Sequence, residues 1–68
     1  LKVTFHIMSN IVIEVRIEDR LIMISTIVDR TFADTMFMNL VSSLDHIENI
    51  KIFEIDQFDN KVLGQYEN

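Results

Sequence analysis

The chain has 68 residues, a net charge of −5 and a pI near 4.7, so it is expected to form one domain, and its acidity sets it against nucleic acid and anionic membrane surfaces. It has no Cys, hence no disulfide and no Cys-based zinc site. Yet 49% of its residues are hydrophobic, and a domain this short cannot bury them all, so the excess calls for self-association or a partner.

Residues 1–8 alternate, with Leu1, Val3, Phe5 and Ile7 on one face and Lys2, Thr4 and His6 on the other. Residues 11–18 alternate again, Ile11, Ile13, Val15 and Ile17 against Val12, Glu14, Arg16 and Glu18. This is the period-2 signature of half-buried strands. A turn over Met8, Ser9 and Asn10 pairs Ile7 with Ile11 and Phe5 with Ile13, which places the apolar set on one face.

Asp19 and Arg20 are expected to turn the chain into residues 21–28, LIMISTIV, which are apolar on both faces apart from Ser25 and Thr26. Such a strand is usually covered on both sides, and one helix covers only one. The simplest second cover is another copy of the chain. A helix running from Ile22 to Leu44 competes with this reading, but the β-branched density of Ile22, Ile24, Thr26, Ile27 and Val28 favours a strand.

Residues 31–47 carry the one clear helical period. Ala33, Met36, Phe37, Leu40, Val41, Leu44 and Ile47 share a wedge of roughly 140°. Thr31 and Asp34 have the shape of a capping box, and Asn49 is placed to stop the helix. Met38 breaks the pattern by facing outward, which makes it a candidate contact with another chain.

Residues 50–56 and 61–66 read as a second hairpin around Asp59-Asn60, a pair that tolerates positive φ. That turn sets Phe53 opposite Tyr66 and Ile55 opposite Gly64, and puts Glu54, Asp56, Leu63 and Gln65 on the polar face. The expected architecture is a single α+β domain over residues 1–68, of order βββαββ. Its mainly antiparallel five-stranded sheet has one helix packed on one face, with the last strand pairing against the first.

The chemistry is sparse. The single Gly leaves no loop that could cradle a phosphate. The Ser residues lie in no strand–elbow–helix frame. His6 and His46 show no ligand spacing, and read as surface residues. No catalytic, cofactor-binding or metal-binding residue is assigned, and an enzyme is not expected. The scattered basic residues argue against direct nucleic-acid binding, and no apolar run reaches the ~18 residues that a membrane span needs.

The expected function is that of a small non-enzymatic interaction protein, a homo-oligomer that self-associates through Ile22, Ile24 and Met38. The alternative is an acidic inhibitor of a host enzyme, a nucleic-acid mimic that presents Glu54, Asp56 and Asp59 to a host protein. With no Cys and no export signal, the chain reads as cytoplasmic. One Ala, one Gly and no Pro amid abundant Ile, Asp and Asn is the usage of an AT-rich coding sequence, as in a low-GC bacterium, a phage or another mobile element.

Overall fold

The computed structural model describes residues 10–68. Its elements are β1 (Ile11–Ile17), β2 (Arg20–Ile27), α1 (Arg30–Leu44), β3 (Ile50–Asp56) and β4 (Lys61–Glu67). All neighbours in the sheet are antiparallel, in the order β2-β1-β3-β4. Among the described residues the fold is α+β, with one helix and an antiparallel sheet of four strands where five were expected for the chain.

The expected strand over residues 1–8, and its pairing with the last strand, lie outside the described residues. The expected hairpin register of that strand with Ile11 and Ile13 meets an obstacle within them. Both edges of β1 are occupied, by β2 and by β3, so that Ile13 stands between Ser25 and Glu54. The two hairpins therefore join through β1 and β3. The most β-branched strand of the chain, IVIEVRI, takes a central position where both of its edges are paired.

The β1–β2 turn is Glu18-Asp19, one residue earlier than expected, with Ile17 opposite Arg20. Both turn residues have positive φ, 52° and 65°, which is the two-residue turn whose twist matches a hairpin. A bulge follows. Val15 pairs with Met23 and Arg16 with Leu21, leaving Ile22 as the extra residue.

The helix is capped two residues before the expected capping box. Asp29 is the N-cap, and its Oδ1 accepts from the Phe32 amide at 2.8 Å. Thr31 is thus inside the helix, and Asp34 is free for other partners. The helix ends at Leu44, and Asn49 takes the left-handed conformation (φ 61°) at the entry to β3. Ala33 and Phe37 are buried, with Met36, Leu40, Val41, Leu44 and Ile47 partly buried beside them, as the apolar wedge implies. The core is Ile13, Val15, Phe37, Ile50 and Ile52, and α1 packs mainly over β3.

The β3–β4 register departs from expectation by two residues beside the turn and, beyond a bulge at Leu63, by one. Asp56 pairs with Lys61, Glu54 with Gly64 and Ile52 with Tyr66, so the connection is the four residues Gln57–Asn60. Side-chain caps close it. The Phe58 amide donates to Asp56 Oδ1 at 3.0 Å, the Lys61 amide donates to Asp59 Oδ1 at 3.2 Å, and Asn60 supplies the positive φ. The shift exchanges the faces. Ile50, Ile52 and Glu54 point into the core, and Phe53 and Ile55 lie on the other side.

Candidate functional site

The helix covers the sheet face that carries Ile13, Val15, Ile50 and Ile52. On the opposite face, Glu14 pairs across to Ile24 and Arg16 to Leu21. Glu14 and Arg16 form an ion pair at 2.7 Å there. No described helix lies over this face, and Ile24 is 58% exposed and Leu21 47%.

The two edge strands differ. β4 carries Lys61, Gln65 and Glu67 and is interrupted by a bulge at Leu63 and by Gly64, all features that blunt an edge. β2 has no charged residue between Arg20 and Asp29. Among the described residues it pairs only with β1. Its bulge at Ile22 is near one end, so Met23–Ile27 is regular strand whose outer edge has no strand partner among the described residues. Leu21, Ile22, Ile24 and Val28 are all about half exposed or more.

Of the three residues expected at a self-contact, Ile22 and Ile24 lie together on β2. Met38 does not join them. It is exposed on the outer side of α1, across the sheet from Ile24. The helical period alone could not reveal that separation, because it depends on which sheet face the helix takes.

The expected acidic surface is divided more sharply. Glu54 is 3% exposed, Asp56 is half-buried and Asp59 is exposed in the turn. Glu54 thus lies beneath the helix and is not part of the outer surface. Asp56 and Asp59 spend an oxygen each on the backbone amides of their own turn.

The buried Glu54 is the least ordinary group in the described residues. It stands between Ile13 and Gly64 in the sheet, and its Oε2 is buried without a hydrogen-bond partner. Burial pushes its carboxyl up to about 7, helped by a hydrogen bond to Asp34 and by that residue's charge. Asp34 moves the other way. The shared hydrogen bond with Glu54 and a 2.9 Å ion pair with Arg30 Nε hold its carboxyl below the usual range. Two neighbouring carboxyls with separated proton affinities is the arrangement that supplies an acid and a base in enzymes. Here Glu54 is buried, and neither of two surface hollows is lined by it.

Those hollows lie elsewhere. One is a polar cleft of about 360 Å³ at the β1–β2 turn, lined by Glu18, Asp19, Asn49, Lys51, Glu67 and Asn68. Lys51 Nζ is already taken by Asp19 Oδ1 at 3.1 Å. The other is a shallow apolar groove along α1 by Phe32, Met36 and Leu40. His46 is exposed just past the helix, and His6 lies outside the described residues. No helix among the described residues is long and apolar enough to cross a membrane.

Comparison with protein families, with characterised proteins and with solved structures finds no match to this chain.

Proposed function

We propose that the protein is a small interaction module that self-associates through β2, adding a second copy's β2 antiparallel to its own. The observation that carries this reading is the uncharged, apolar outer edge of β2, set against the charged and bulged edge of β4. An unguarded apolar edge is a template for another strand. The second copy is favoured over other partners by the pattern of the strand itself. A pairing centred on Ile24 places Ile24 against Ile24. It also brings the Asp19-Arg20 end of one strand beside the Asp29-Arg30 end of the other, with opposite charges available at both ends. A two-fold contact has to be self-complementary in this way.

The test is Ile24→Asp, followed by sedimentation. Ile24 is 58% exposed, so the change costs a single copy little, about 0.5 kcal/mol. In the pair it sets two carboxylates face to face on the symmetry axis. The variant should be folded and of half the native mass. A folded variant of unchanged mass overturns the reading. The acidic-inhibitor alternative retains Asp56 and Asp59 but loses Glu54 to the core. It is favoured instead if the native protein is a single copy whose binding to a basic partner collapses in salt.

A further inference from the structure

Glu54 raises a question that β2 does not answer: why the core face of a central strand holds a carboxyl at all. Ile50 and Ile52, the preceding residues of that face, are fully buried and apolar. Glu54 continues their row, flanked in the sheet by Ile13 and by Gly64, the residue against which the Phe37 ring packs, and one of its oxygens lacks any partner. An ionised carboxylate in such a place is costly unless it is paired. The carboxyl that interacts with it is that of Asp34 in α1.

The charged groups around it decide how the pair is filled. From α1 come Asp34 and Arg30, the latter already bonded to Asp34. From β3 comes Asp56, two residues on along the same face, and from β4 its partner Lys61. The adjacent residues of β1 and β2 are Ile11, Ile13 and Ser25, which carry no charge. Arg30 engages the outer carboxyl, and no described cation bonds the inner one. A single proton shared by Glu54 and Asp34, with Glu54 as donor, leaves one charge on the pair, and Arg30 engages it.

We propose that Glu54 is a proton-operated latch between β3 and α1. With the proton present, Glu54 donates to Asp34 and holds the first turns of the helix on the sheet. When the proton leaves, two carboxylates oppose each other across a dry contact, and this end of α1 lifts. The strain falls on the helix because β3 is pinned on both sides by β1 and β4, whereas α1 is held at this end by packing and by the Asp29 cap. The raised proton affinity of Glu54 places the change near neutral pH, where a cell's own pH shifts would operate it.

Amide hydrogen exchange of the native chain, corrected for the intrinsic rate, tests this at about pH 6 and about pH 8. The opening constant of α1 should rise about tenfold across that interval, as follows from a carboxyl at about 7 in the fold and 4.5 when exposed. The β1 and β3 amides should not follow it. The Glu54→Gln variant, neutral and of the same shape, should show no rise. A flat native profile, an equal rise in the variant, or an equal rise over the whole sheet overturns the latch. Should the variant fail to fold, the carboxyl-carbon titration of Glu54 in the native chain decides. A midpoint near neutrality supports the latch, and one in the ordinary carboxylate range overturns it. Neither result depends on how many copies assemble.

Discussion

Gly64 stands opposite Glu54 in the β3–β4 ladder, and its missing side chain is the space that the Phe37 ring occupies. A Cβ at position 64 would lie 3.0 Å from Phe37 Cε1, 3.2 Å from Cζ and 3.4 Å from Glu54 Oε1. The ring is buried between helix and sheet and cannot give way cheaply. In a strand, Gly→Ala ordinarily helps by restricting the unfolded chain. Here overpacking wins, and Gly64→Ala should cost about 1–2 kcal/mol in urea unfolding. A stabilised variant would show that the ring has room to move.

The pH dependence of stability should carry an unusual sign. The folded chain holds the Glu54 proton more tightly than the unfolded one, at about 7 against 4.5. Its contribution is complete below pH 4.5 and drains away as pH rises to about 7. The loss is up to about 3 kcal/mol. Asp34 works in the opposite sense, since its depressed carboxyl contributes above 3.8 and is lost on acidification. The optimum therefore falls in mild acid. Unfolding midpoints across the range check this, and a midpoint that climbs toward neutrality contradicts it.

Loss of the helix cap should be visible by itself. Asp29 accepts the Phe32 amide at 2.8 Å, and Asp29→Ala should destabilise by about 1 kcal/mol. Thr31→Ala should have a much smaller effect, because Thr31 lies inside the helix and does not cap it. Equal losses in the two variants would restore the capping box expected from the sequence.

The β1–β2 turn offers a gain. Glu18 and Asp19 both sit at positive φ, where Asn and Gly are at ease and Glu is not. Replacing Glu18-Asp19 by Asn-Gly should raise stability by about 0.5–1 kcal/mol, read as a higher melting temperature. The gain is limited by loss of the Asp19–Lys51 pair, which is exposed and contributes little.

Much of this fold is legible in the chain. The alternation of Ile11, Ile13 and Val15 marks a strand, and the Ala33–Phe37–Leu40 period marks the helix and the face it buries. The β-branched run from Ile22 to Val28 rightly prevails over a helix there. What failed was parity. Ile50, Ile52, Phe53 and Ile55 are apolar on both faces of β3, so alternation alone leaves open which set points inward. The one-residue bulge at Leu63 sets Gly64 and Tyr66 on the face of Ile52 and Glu54, and a register drawn without that bulge sends Glu54 to the surface. The clue was Gly64, since a glycine in a strand marks close approach from the other side. The central pairing of β1 with β3 is non-local, and no short-range pattern encodes it.

The measurement that bears most directly on the central claim is the solution mass of the native chain by light scattering over a dilution series. Pairing through β2 predicts twice the 8.0 kDa of one copy, falling toward one copy on dilution. A mass of 8.0 kDa that holds at the highest concentration would contradict it, and would leave the apolar edge of β2 to a partner of different sequence.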